Sequence, residues 1–126
     1  MKNSYRELEI YQLAYQLAIE VHKMSLTLPK YELYEQGSQV RRSSKSIKDT
    51  IVEGYGRKRY KDDFIKFLTY AQGSCDEVIS QLSMINDLYF EEQPLTKLMN
   101  DYDMLGKKIN KFIQYVEKHW KTNRDK

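Results

Sequence analysis

The sequence predicts an all-α protein, an antiparallel up-down-up-down four-helix bundle. Three observations carry this. Apolar residues recur at three- and four-residue steps through four long segments, the spacing of one helical face. Only 5 Gly and 2 Pro interrupt 126 residues, too few breakers for the short strands and turns of a sandwich or barrel. Pro29, Pro94 and the Gly54-Tyr55-Gly56 stretch mark the segment boundaries, so the connections are short and neighbouring helices run antiparallel. The length suits one domain covering residues 1–126.

The first segment runs from about Tyr5 to Leu28, with a stripe of Ile10, Ala14, Leu17, Val21, Met24 and Leu28, and Pro29 ends it. The second runs from about Leu33 to Gly54 on Val40, Ser44, Ile47 and Ile51, and Gly54-Tyr55-Gly56 is its stop signal. The third runs from about Asp62 to Tyr89, with Asp62 or Asp63 as the expected cap. Phe64, Phe67, Leu68, Ala71, Cys75, Val78, Leu82, Ile85 and Tyr89 form its stripe. The fourth starts at Pro94, a favoured first helical position, and continues to about Trp120. Its stripe is Leu95, Leu98, Tyr102, Leu105, Ile109, Phe112, Val116 and Trp120, and the polar tail Lys121 to Lys126 is expected to fray.

Composition removes several function classes. With 40% hydrophobic and 31% charged residues the chain folds rather than remaining disordered. No apolar run approaches the roughly 20 residues that cross a bilayer, and the first residues carry no apolar core of signal-peptide length. A cytoplasmic location without membrane contact is expected. The single Cys75 excludes an internal disulfide and a Cys-rich metal site, and its place on an apolar stripe reads as a buried, inert thiol. His22 and His119 lie on different helices with no carboxylate–histidine spacing, so no metal or cofactor is expected. His22 reads as an interface or surface residue, and His119 as a last-turn cation suited to the helix dipole. Gly54-Tyr55-Gly56-Arg57 lacks the strand and the Lys-Ser/Thr of a phosphate loop. No catalytic set is recognisable, so the chain does not read as an enzyme.

Two features remain. The first helix carries a second apolar band, Tyr11, Tyr15, Ile19, His22 and Leu26, about 100–180° from its main stripe. Scattered surface apolar residues are common, but one continuous band reads better as a subunit interface. The other feature is charge. Residues 41–61 hold Arg41, Arg42, Lys45, Lys48, Arg57, Lys58, Arg59 and Lys61 against only Asp49 and Glu53, in a chain of net charge +3. Arg41, Lys45 and Lys48 share a helix face by spacing. From charge alone, a solvated basic face or pairing with acids of a neighbouring subunit is the simpler reading. The other is a contact to a phosphate backbone, with Tyr55 and Tyr60 available for stacking.

Ser46-Ile47-Lys48-Asp49-Thr50-Ile51-Val52-Glu53-Gly54-Tyr55-Gly56-Arg57 resembles the Ser-Ile-x-x-Asn-Ile-Ala-Glu-Gly-x-x-Arg motif of a bacterial family. Its members were first noticed in intervening sequences of 23S ribosomal RNA genes and are often labelled ribosomal proteins. Gln39-Val40-Arg41-Arg42-Ser43-Ser44, the turn Leu28-Pro29 with Glu32 and Tyr34, and Phe67-Leu68, Ala71, Gly73-Ser74 and Glu77 are also similar to that family. Departures are Asp49-Thr50 for a small residue and Asn, Ser43-Ser44 for two alanines, and Gly37 one place late. The resemblance implies a four-helix bundle assembled as a homopentamer. Relatives in diversity-generating retroelements serve as accessory subunits that bind RNA and a reverse transcriptase through basic surface.

The expected function is therefore a non-enzymatic, oligomeric, nucleic-acid-binding accessory protein, with RNA as the leading partner. Its contact residues are Arg41, Lys45, Lys48, Arg57, Lys58, Arg59 and Lys61. The alternative is an oligomeric protein-interaction scaffold that binds no nucleic acid. Arg42, Ser46, Glu53 and Gly54 read as structural motif residues. Arg42 and Glu53, about three turns apart, are expected to anchor the turn after the second helix or a subunit contact.

Overall fold

The computed structural model describes residues 4–121; the tail beyond Lys121, expected to fray, lies outside them. Four helices form the bundle: α1 (Glu9–Ser25), α2 (Gln36–Gly56), α3 (Lys61–Tyr89) and α4 (Thr96–His119). Each packs on its chain neighbours, and α1 closes against α4. The expected stripes meet in one core, with Val21, Ile47, Phe64, Leu82 and Leu105 fully buried. Ile113, absent from the expected stripe, joins the core on α4.

The helix ends differ from expectation for local reasons. Residues Tyr5–Glu7 form a separate 3-10 turn, capped by the Ser4 hydroxyl, and Leu8 is extended before α1 begins. Lys30–Leu33 form a second 3-10 turn after Pro29, so α2 starts at Gln36 rather than near Leu33. Neither Asp62 nor Asp63 caps α3. Tyr60 takes the extended cap position, and both carboxylates sit in the first turn, where they suit the helix dipole. Pro94 precedes α4, in a turn closed by the Thr96 N–H on the Gln93 carbonyl (3.2 Å). Buried Asn86 fastens that connection: its amide donates to Gln93 Oε1 (2.5 Å) and its Oδ1 accepts from the Leu95 N–H (3.2 Å).

α2 ends at Gly56, within the Gly54-Tyr55-Gly56 stretch expected to stop it, although Gly54 itself does not end the helix. Gly54 lies inside α2, buried, and a Cβ there would meet Phe67 Cβ at 2.8 Å. The glycine therefore sets the close approach of α2 to α3 rather than ending a helix.

The α1–α2 corner is held by polar groups. Buried Glu32 accepts from the Gln36 N–H (3.0 Å) at the start of α2 and from the Tyr89 hydroxyl at the end of α3. Arg41 donates to Ser25 Oγ (3.0 Å) and to the Leu33 carbonyl (2.6 Å). Gly37 leaves room for this, since a Cβ there would lie 2.5 Å from the Glu32 carbonyl oxygen.

Burial pushes the Cys75 thiol from an ordinary 9.0 up to about 12, with Asp76 adding to the rise. Burial also lifts the Tyr102 phenol, and the hydrogen bond to Glu32 lifts Tyr89. All three stay protonated in the folded chain, while the unfolded chain releases these protons above pH 9–10. The stability they contribute is complete below pH 9 and drains away as pH rises toward 12. The melting temperature, followed by circular dichroism from pH 8 upward, is expected to hold to about pH 9 and to fall above it. A flat profile to pH 11 would contradict the burial of Cys75 and Tyr102 and the hydrogen bond between Tyr89 and Glu32.

Candidate nucleic-acid interface

The cations of residues 41–61 do not form one surface. Arg41 turns inward to the α1–α2 corner, where its guanidinium is occupied by Ser25 and Leu33. Lys45 and Lys48 face α1. Lys48 Nζ lies 2.7 Å from Asp49 Oδ1 and 6.0 Å from the Tyr15 ring. With Tyr15, Ala18, Ile19, His22 and Lys23 they line a groove of about 400 Å³ between α1 and α2. The second apolar band of α1 thus borders part of the charged segment. Tyr15, Ile19 and Leu26 of that band are exposed and His22 is half-buried. Tyr11 is partly covered, edge-on to Tyr5 and beside Tyr15.

The other cations gather at the α2–α3 turn. The Arg57 guanidinium sits 5.0 Å over the Phe67 ring, and the Lys58 ammonium 3.9 Å over Tyr55. Arg59 is exposed, and Lys61 opens α3. Tyr55 packs edge-on against Phe64, so its ring belongs to the core, whereas Tyr60 is exposed. Of the two tyrosines expected to be available for stacking, only Tyr60 keeps an open face.

The end of α4 joins this turn, a placement no sequence pattern announces, because the partners are far apart in the chain. Trp120 Nε1 donates to the Lys58 carbonyl (3.3 Å), and the indole packs edge-on to Phe64. Phe64 also meets Phe112, and Tyr115 stacks on Phe112 with an interplanar angle of 13°. Exposed Tyr115 lies 5.3 Å from the His119 ring. One end of the bundle therefore presents Arg57, Arg59 and Lys61 with Lys118, His119 and Lys121, and two half-exposed tyrosines, Tyr60 and Tyr115, the latter with one ring face on Phe112.

The motif residues divide by face. Gln39, Arg42, Ser43 and Ser46 of α2 border a shallow groove of about 250 Å³ with Glu77 and Gln81 of α3, and Ser43 Oγ donates to Glu77 (2.7 Å). Arg42 and Glu53 are both exposed, and among the described residues neither has a hydrogen-bond or ion-pair partner. They do not anchor the turn; Trp120 and Phe64 do. Among the described residues no cluster of His, Cys, Asp and Glu is arranged to hold a metal, and no helix is long and apolar enough to cross a membrane.

Residues 6–111 match the family model of the 23S rRNA-intervening sequence protein. The chain belongs to that family. Among curated proteins none matches the sequence. The family match runs from before α1 into α4 and ends ahead of Phe112, Tyr115 and Trp120. The 23S rRNA-intervening sequence motif thus covers the Gly54 contact and the exposed polar face of α2 and α3, while the aromatic end of α4 lies beyond it.

Proposed function

We propose that this family member is a non-enzymatic, homo-oligomeric accessory protein of the cytoplasm that binds RNA through the end of the bundle formed by the α2–α3 turn and the tail of α4. The observation that carries the reading is the Trp120–Lys58 contact, which brings the end of α4, with Lys118, Lys121 and half-exposed Tyr115, to the turn that holds Arg57, Arg59 and Lys61. Ammonium and guanidinium groups neutralise phosphates, and aromatic rings stack on unpaired bases of any sequence. Among the described residues no group is recognisable as placed to read base edges, so affinity rather than sequence choice is expected. Assembly, in the pentamer that the resemblance implies, repeats this end on every copy and lets weak contacts combine on one long RNA.

The test is a titration with a mixed RNA pool at about 50 mM salt, where phosphate contacts are strong. Micromolar protein is expected to bind, and affinity is expected to fall linearly with salt on logarithmic axes. Arg59→Glu with Lys61→Glu is expected to weaken binding by tenfold or more and to lower the slope by about 1.4, near 0.7 for each lost phosphate contact on a single strand. The helical signal should be unchanged, because charges on exposed turns add little to stability. Absence of binding by the wild type overturns the reading in favour of the protein-interaction scaffold.

A further inference from the structure

A second unpartnered face lies on α3. Tyr70, Gly73, Glu77, Met84 and Leu88 fall within about 60° of one another at 100° per residue, turned well away from the stripe that enters the core. Tyr70, Met84 and Leu88 are half-exposed. Single exposed apolar residues need no explanation, but three aligned on one helix form a strip. Gly73, in the same strip, has open space where a Cβ would stand. A glycine inside a helix costs about 0.5–1 kcal/mol relative to alanine, and no contact within this chain offsets that cost. A partner's backbone approaching closely at Gly73 gives the glycine a reason.

Charge selects the partner. From Phe67 to Thr96 the chain has no Lys, Arg or His, and it carries Asp76, Glu77, Asp87, Glu91 and Glu92. The α1–α2 groove has the opposite character: an apolar floor at Tyr15, Ala18 and Ile19, with His22, Lys23, Lys45 and Lys48 around it. We propose that the α3 strip of one copy docks in the α1–α2 groove of a second copy, Met84 and Leu88 against the floor and exposed Asp87 beside them toward the lysines. The inference rests on the homo-oligomeric part of the proposed function and names its contact. Because strip and groove are different surfaces, the contact is heterologous, and such contacts close into rings or run on as filaments.

Two single variants test this in the full chain. Ile19→Glu, at a position 36% exposed, spoils the groove, and Met84→Lys, at one 54% exposed, spoils the strip. Each alone is expected to keep its helicity and to scatter light as a monomer near 15.1 kDa. Mixed, they are expected to form a 1:1 dimer, since one chain retains an intact strip and the other an intact groove. A second pair removes any dependence on affinity or folding. Under mild oxidation Ile19→Cys mixed with Met84→Cys should give mixed disulfide dimers, while either alone should give none. Buried Cys75 does not compete.

An assembled wild type whose variant mixtures give neither dimer nor mixed disulfide overturns the strip-in-groove contact and leaves oligomerisation standing. A wild type near 15.1 kDa overturns both. A monomer whose RNA affinity falls on Ile19→Glu would show that RNA, not a second copy, fills the groove.

Discussion

Phe64→Ala will lower the unfolding free energy by about 3–5 kcal/mol. Phe64 is fully buried and is the ring at which three others meet: Tyr55 of α2, Phe112 of α4 and Trp120 just beyond it. Truncation removes the transfer free energy of the ring and leaves a cavity that helices held on three sides cannot close. Edge-to-face geometry adds about 0.5–1.5 kcal/mol per aromatic pair beyond area. Set against a total of about 5–15 kcal/mol, the loss is large. Urea unfolding is the measurement, with a lower midpoint at unchanged m-value as the expected result. The variant should also loosen Trp120 from the Lys58 carbonyl, so RNA affinity should fall even where the protein remains folded. A cost under 1 kcal/mol would mean that the aromatic cluster does not hold this end together.

Glu32→Ala is the second large effect, at about 1.5–3 kcal/mol. The carboxylate is buried and serves two donors, the Gln36 N–H and the Tyr89 hydroxyl. Its removal orphans the part-buried Gln36 N–H, which then carries its desolvation penalty, and leaves the Tyr89 hydroxyl only the long contact to the Tyr31 hydroxyl (3.4 Å). It also takes a negative charge from the start of α2, where the helix dipole favours one. Exposed Glu35, three residues on, is the control, with an expected change within about 0.5 kcal/mol. Tyr89→Phe should cost less than Glu32→Ala, and the double variant should cost less than the sum, because the two share one hydrogen bond. Strict additivity would place them in separate interactions.

Much of this molecule is legible in the chain. The four stripes follow from a 3.6-residue period, and their fully buried members, from Ala14 to Val116, were visible as recurring apolar letters except Ser44, which is polar. The second band on α1 was legible by the same period. The α3 strip obeys that period too, but Gly73 and Glu77 interrupt its apolar letters, and the strip is recognisable once the core face is known. The Gly54-Tyr55-Gly56 stretch was legible as the end of α2, but each glycine near a helix end has two uses, a stop or a close approach. For Gly54 the chain does not say which until Phe67 is seen 2.8 Å from its missing Cβ.

The candidate site was less legible. Counting charge placed eight cations within residues 41–61 but not their directions. Arg41 and Lys45 are one turn apart on α2, yet Arg41 turns inward because Ser25 and the Leu33 carbonyl offer acceptors there, while Lys45 stays at the groove. What the sequence by itself determined is the all-α bundle, its family and the store of positive charge, since these depend on local period, motif and composition. What only the tertiary structure decided is which charges are used within the chain and which face outward, and that Trp120 brings the end of α4 to the α2–α3 turn. The physical reason is distance. Helical period acts over four residues, whereas a hydrogen bond to a carbonyl dozens of residues away exists only after the helices have packed and set those two atoms side by side.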